Sequence, residues 1–176
     1  MAFTLEISGD YACFSRPELK VERVSYDVIT PSAARGIFEA ILWKPAIKWV
    51  IDEICICKPI KFENIRRNEV QSKASRRATI AASEDRTQRA AMVLKNVCYV
   101  VTAHFEMTSR AGEPDSEAKF AAMFERRAIA GQTFNQPYLG TREFPAKFRL
   151  ISAGKSEVDT IKETRSLGIM LYDLDY

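Results

Sequence analysis

Few side chains in this chain of 176 residues combine the type and setting that acid–base or phosphate chemistry needs. His104 is the only imidazole, so any histidine acid or base must be His104. It lies mid-strand with Thr102 and Glu106 on its own face, a setting that suits a hydrogen-bonded sheet histidine as well as a catalyst. Lys119 stands in the first turn of a helix that Asp115 or Ser116 caps. A cation there opposes the helix macrodipole at a cost of about 0.3–1 kcal/mol when exposed. The same place is a natural anion site, because free backbone N–H groups point outward. From residue type alone Lys119 is an ordinary surface lysine or a phosphate grip. Arg66-Arg67 could clamp successive phosphates bidentately or serve only solubility. Arg126-Arg127 and Arg142 could extend the same path. Trp43, beside Lys44 at a helix terminus, suits base stacking as well as a core or interface anchor.

Other chemistries lack their residues. No Ser-His-Asp or Cys-His arrangement, P-loop or GxGxxG motif occurs. Cys13, Cys55, Cys57 and Cys98 provide no CxxC and no Cys/His cluster, so no metal and no cofactor is expected. Four buried free thiols in a reducing cytoplasm are expected instead. MAFTLEISGD has neither the basic nor the apolar region of a signal peptide. No run of eighteen apolar residues offers a membrane span.

The net charge of +3 conceals an uneven distribution. Between Lys58 and Lys95 ten basic residues face four acidic ones, a local charge of +6. Such a segment on a near-neutral protein fits a phosphate-tracking surface or a solvated loop.

These side chains must be positioned by an alternating series of elements. Phe3–Ile7 alternates as a first strand that Gly9-Asp10 ends. An irregular stretch with Pro17 leads to Thr30-Pro31, a cap and first-turn proline. Ala34, Ile37, Phe38 and Ile41 form the apolar stripe of the helix that follows, and Pro45 closes it. Ile47–Phe62 reads as a long strand bent at Pro59. Arg66–Gln88 is polar and reads as a mobile loop. Met92–Met107 is the clearest strand, with Val97, Tyr99, Val101, Ala103 and Phe105 on one face. A second helix turns Phe120, Met123 and Phe124 inward and ends at Gly131. Phe148–Ile151 and Gly168–Leu174 read as short strands. Strand, helix, long strand, long strand, helix, strand is the split βαβ order of α+β ferredoxin-like folds, which also underlies RRM-type RNA binders.

Several phrases sharpen this reading: GDYACF at 9–14, RPELKVERVSYDVITPSAARGI at 16–37, WKPAI at 43–47 and NIRRNEV at 64–70. AHFE at 103–106, AGQ at 130–132 and LGTREFPA at 139–146 continue them, with a looser echo at 167–175. In these the chain resembles the CRISPR-associated Cas-five-d family of subtype I-C (Dvulg) systems, a RAMP family that processes repeat RNA. The resemblance implies a ferredoxin-like domain over residues 1–132 and a small antiparallel β-rich part over 133–176. It implies cleavage of precursor CRISPR RNA without a metal, the RNA's own 2′-hydroxyl being the nucleophile. It implies CRISPR RNA and the backbone and large subunits of the type I-C surveillance complex as partners, with duplex DNA as a further candidate.

The family's catalytic tyrosine precedes WKP, and its lysine-histidine pair opens the second helix. Here those positions hold Leu42, Lys119 and Phe120. Lys119 is therefore the leading catalytic candidate, and Leu42 and Phe120 fit the apolar stripes of their helices. Tyr26 and Tyr11 in the matched phrases, and His104, are the available substitutes for the missing proton-transfer groups. Two functions follow as alternatives: a processing endoribonuclease that stays on the 5′ handle, or a handle-capping subunit with weak or absent cleavage. An unrelated ferredoxin-like RNA or DNA binder is a third.

Overall fold

The computed structural model describes residues 1–19, 21–73, 75–76, 79–151 and 159–173. In chain order it contains β1 (Ala2–Ala12), β2 (Arg23–Val24), α1 (Pro31–Ile41), β3 (Ile47–Ile56), β4 (Phe62–Val70), β5 (Arg86–Met107), α2 (Glu117–Ile129) and β6 (Lys147–Ile151). Four of these strands lie side by side in the order β6-β1-β5-β3, every neighbour antiparallel. That order, with one helix after β1 and the other after β5, is the split βαβ topology of the ferredoxin-like α+β fold.

Alternation along β1 and β5 decides which face is covered. Phe3, Leu5 and Ile7 of β1 and Val97, Tyr99, Val101, Ala103 and Phe105 of β5 are buried. Against them pack Ala34, Ile37, Phe38 and Ile41 of α1 and Phe120, Ala121, Phe124 and Ala128 of α2. The centre is aromatic: Trp49 meets Phe38 at 5.1 Å, Phe105 at 5.3 Å and Phe124 at 4.7 Å between ring centroids. These are tilted or edge-on pairs, the arrangement that ring quadrupoles favour.

Several boundaries differ from the sequence reading. β1 continues through Gly9-Asp10, because Gly9 and Tyr11 still pair with Val97 and Lys95 of β5. The expected single strand Ile47–Phe62 is two strands, β3 and β4, separated at Pro59. The expected loop Arg66–Gln88 begins and ends in strand: β4 pairs with the first part of β5 from Phe62↔Leu94 to Val70↔Arg86. β5 therefore serves two partners in turn. Between them sits Asn96 at φ 53, a left-handed residue whose amide oxygen accepts from Lys58 Nζ at 2.6 Å. Asparagine tolerates that conformation better than most residues, and it lets one strand turn from β3 to β4.

The C-terminal region contributes β6 to the main sheet through β1. Residues 168–173 form no strand, contrary to expectation, and Leu174 lies outside the described residues. Their backbone groups are used elsewhere: Leu171 N–H donates to Tyr26 Oη at 3.3 Å, and Tyr172 O accepts from Ser32 N at 3.2 Å. All four cysteines are free, Cys13 and Cys98 buried and Cys55 and Cys57 partly so. Among the described residues no helix is long and apolar enough to cross a membrane.

Candidate functional site

The two helix ends nearest WKPA create the site. α1 stops at Ile41 because its last carbonyls find donors outside the helix, which relieves the usual orphan acceptors. Phe134 N–H donates to Ala40 O at 2.8 Å, Arg127 Nη1 to Ile41 O at 3.0 Å and Trp49 Nε1 to Leu42 O at 2.8 Å. The chain leaves extended at Leu42. Thr108, just past β5, fixes the turn that follows: its hydroxyl donates to Pro45 O at 2.6 Å and its N–H to Ala46 O at 2.9 Å. Lys44 is thereby set beside Arg110, whose N–H donates to Thr108 Oγ1 at 3.2 Å.

α2 supplies the opposite wall. Of the two cap candidates Ser116 is the cap, its hydroxyl accepting from Lys119 N–H at 3.3 Å. Asp115 stands just outside the helix, accepting from Gly112 N–H at 3.1 Å and from Lys119 Nζ at 3.1 Å. Lys119 Nζ also donates to Pro114 O at 3.2 Å. The Gly112 amide, then Lys119 and Lys44, hold the Asp115 carboxyl below its ordinary value of 3.8.

The result is an open cleft of about 370 Å³ lined by Lys44, Pro45, Ala46, Arg110, Asp115, Lys119, Phe120 and Met123. Three cations face one carboxylate there, a local charge of +2. With the N-terminus of α2 alongside, the cleft can hold a phosphate by charge and by backbone donors. Lys44 and Lys119 were anticipated from sequence; Arg110 was not. No local pattern marks Arg110, because its place depends on Thr108 holding the distant Pro45 turn.

The other candidates are dispersed. Leu42 is fully buried and Phe120 nearly so, so core packing accounts for both. Tyr26 is 4% exposed, its hydroxyl takes the Leu171 N–H, and Arg16 lies over its ring at 4.7 Å. Tyr26, named from its matched phrase as a substitute proton-transfer group, lies apart from the cationic cleft and helps to wall the next cavity. His104, the other named substitute, is also set apart from the cleft. It lies on the sheet face opposite the helices, its Nδ1 2.7 Å from Asp52 Oδ1, and cannot reach the cleft through the core. Tyr11 packs on Phe144 at 6.0 Å between centroids, at the other end of β1.

Arg66 and Arg67 project from opposite faces of β4, as the alternating burial of the strand requires. They do not form a shared clamp. Arg66 is exposed. Arg67 is largely buried, bonded to Glu143 and 3.5 Å from Glu69, with Arg23 and Arg89 in the same network. Arg127 is committed to the α1 carbonyl, whereas Arg126 and Arg142 are exposed. Trp43 is 59% exposed and faces a second cavity on the far side of the α1 terminus. Among the described residues no group of acidic, histidine or cysteine side chains is arranged to hold a metal ion.

A split βαβ sheet with both helices on one face and a cationic cleft at their ends defines a ferredoxin-like domain of the RAMP class. A family model described as "CRISPR-associated protein (Cas_Cas5)", that of Cas5d, matches residues 3–176. The chain belongs to the Cas5d family of CRISPR-associated proteins. It is 53% identical to the protein named "CRISPR pre-crRNA endoribonuclease Cas5d" of Mannheimia succiniciproducens, over 98% of this chain and 84% of that one. It is 44% identical to the protein of the same name of Thermus thermophilus, over 98% of this chain and 72% of the relative. A CRISPR-associated protein of known crystal structure matches with 26% identity and a TM-score of 0.64, over 86% of this chain and 67% of that one. A functionally uncharacterized protein from Streptococcus mutans matches with 25% identity and a TM-score of 0.73, over 100% and 81%.

Proposed function

We propose that this protein binds CRISPR repeat RNA and cleaves the precursor at a phosphate held in the Lys44–Arg110–Lys119 cleft. The observation that carries this reading is the convergence of three cations and a helix N-terminus in one cleft, on a chain closely related to proteins named pre-crRNA endoribonucleases. The RNA's 2′-oxygen attacks the adjacent phosphorus as the bond to the 5′-oxygen breaks. The 2′-proton ends on the departing 5′-oxygen, leaving a 2′,3′-cyclic phosphate and a 5′-hydroxyl. The nucleophile belongs to the substrate, so no metal-bound water is required. Lys119, Lys44 and Arg110 neutralise the charge that gathers on the phosphorane oxygens. Lys119 is the cation whose ammonium is fixed by hydrogen bonds, to Asp115 Oδ1 and Pro114 O at the start of α2. Exposed Arg66, Arg126 and Arg142 are proposed to hold flanking phosphates, with the protein remaining on the 5′ handle as a subunit of the type I-C complex.

One observation favours a second reading. The family's tyrosine and histidine positions are the buried Leu42 and Phe120, and neither can exchange a proton. On that reading the cleft caps the 5′ handle without cutting. The two readings separate in one experiment on Lys119→Ala and Arg110→Ala with end-labelled repeat RNA. Processing predicts that cleavage falls much further than affinity. Equal loss of both would make these residues phosphate anchors, and intact RNA with the unaltered protein would establish the capping role.

A further inference from the structure

The second cavity, on the other side of Trp43, has a different chemistry. It measures about 690 Å³ and runs between α1 and the loop 134–140. Three large aromatic side chains remain exposed around it: Trp43 at 59%, Phe134 at 86% and Tyr138 at 40%. Aromatic surface left open around one concavity marks a binding site rather than unused core.

The wall is held rigidly before any ligand arrives. Phe134 N–H is bonded to Ala40 O at 2.8 Å, Cys13 N–H to Leu139 O at 3.0 Å, Leu139 N–H to Phe144 O at 2.8 Å and Ala146 N–H to Pro137 O at 2.9 Å. Gly140 lies at φ +86 against the Cys13–Phe14 backbone, where a Cβ would have no room. Such preorganisation lowers the ordering cost of binding.

The charges argue for the occupant. Arg35 is bonded to Asp173 at 2.8 Å and lies 3.8 Å from Glu39, so one cation faces two carboxylates. That balance repels a phosphate and suits a partner that offers N–H donors and a flat apolar face. Asn135 and Gln136 add amide donors and acceptors to the same wall. Burial raises the Glu39 carboxyl above its ordinary value, which makes a hydrogen-bonding role there less costly than a fully ionic one. Trp43 and Lys44 are consecutive, about 3.8 Å apart along the chain, and face this cavity and the cationic cleft respectively.

We propose that the Trp43–Phe134–Tyr138 cavity is a nucleobase pocket, taking one unstacked base of the strand whose phosphate occupies the Lys44–Arg110–Lys119 cleft. The aromatic faces stack on the base, and Glu39, Asn135 and Gln136 meet its hydrogen-bonding edge. The inference rests on the RNA-binding part of the proposed function but not on cleavage.

The test measures affinity for repeat RNA and for a series of the same RNA with one abasic site at each single-stranded position. It uses the unaltered protein, Trp43→Ala, Phe134→Ala and Lys119→Ala. The unaltered protein should lose about tenfold or more in affinity at one position only, the scale of base–aromatic stacking. Trp43→Ala and Phe134→Ala should bind intact RNA correspondingly less well and show no further loss at that position. Both side chains are exposed, so their removal leaves the core intact. Lys119→Ala should retain the full abasic penalty. Abasic penalties unchanged in Trp43→Ala, or unaltered affinity of both aromatic variants for intact RNA, would overturn the pocket and leave the cavity to a protein partner. Uncut RNA with the abasic coupling intact would instead overturn the cleavage reading and leave the pocket standing.

Discussion

Gly140→Ala tests how the loop that walls the second cavity is held. At φ +86 an alanine pays about 1–2 kcal/mol for the left-handed conformation. Its Cβ would also stand 2.5 Å from the carbonyl carbon of Cys13 and 2.9 Å from Phe14 N, with the Cys13 oxygen closer still. Those atoms are backbone and cannot rotate away. The loop must retreat and weaken the Cys13 N–H bond to Leu139 O, worth about 0.5–1.5 kcal/mol net. The total is about 1.5–3.5 kcal/mol. For a chain of 176 residues that corresponds to a fall in Tm of roughly 3–14 °C. Gly131→Ala is the control: φ +65 imposes similar strain, but nothing lies within 4 Å of the added Cβ. Urea and thermal unfolding of both variants should place Gly140→Ala well below Gly131→Ala. Equal stabilities would refute the close backbone approach and the rigid wall built on it.

Arg66→Glu should weaken RNA binding and reduce the slope of log K against log salt by roughly 0.7–0.9, the scale of one lost phosphate contact. Arg67→Ala should leave that slope unchanged and lower stability by about 1–2 kcal/mol, because Glu143 and Glu69 lose a largely buried partner; unfolding and salt titration together distinguish the two. Asp115→Asn should tighten RNA binding by up to about fivefold, the scale of one exposed ion pair, as the cleft passes from +2 to +3. The Asp115 carboxyl lies below 3.8 when folded, so its contribution to the helix start is complete above that pH. It is lost only as pH falls through the lower folded value, and amide exchange at Gly112 measures it. Burial, then the neighbouring Cys98, pushes the Cys57 thiol from 9.0 up to about 11. Its thiolate at pH 8 should be roughly 100-fold scarcer than in the unfolded chain. Mass-resolved alkylation should find Cys57 slow in the folded protein and fast in urea.

The features legible in sequence were those set by apolar periodicity and local caps. Thr30-Pro31 begins α1, and the stripe Ala34, Ile37, Phe38 and Ile41 is buried as its spacing requires. The alternation from Val97 to Phe105 fixes which face of β5 carries the core. The β4–β5 hairpin was hidden because neither of its faces is mainly apolar. One face carries Glu63, which pairs with Lys95, and Arg67, Glu69 and Arg89, whose order comes from charge pairing among themselves and with Arg23 and Glu143. Arg66, Asn68, Arg86 and Gln88 point the other way into solvent. The site divided along the same line. Lys119 and Lys44 were readable from a helix start and a matched phrase. Arg110 is delivered by contacts across long sequence separation, and so is the aromatic wall of Phe134 and Tyr138. Tyr26 and His104 show the converse, since their residue types suit proton transfer but the fold places one against the second cavity and the other on the far face of the sheet, both apart from the cationic cleft.

The most direct test of RNA processing at the cationic cleft is incubation of the protein with its own end-labelled repeat RNA in EDTA, followed by mapping of the product ends. A single cut leaving a 2′,3′-cyclic phosphate and a 5′-hydroxyl, lost in Lys119→Ala, is the predicted result. Tightly bound but intact RNA would contradict it and make the protein a capping subunit whose family catalytic positions have become the core residues Leu42 and Phe120.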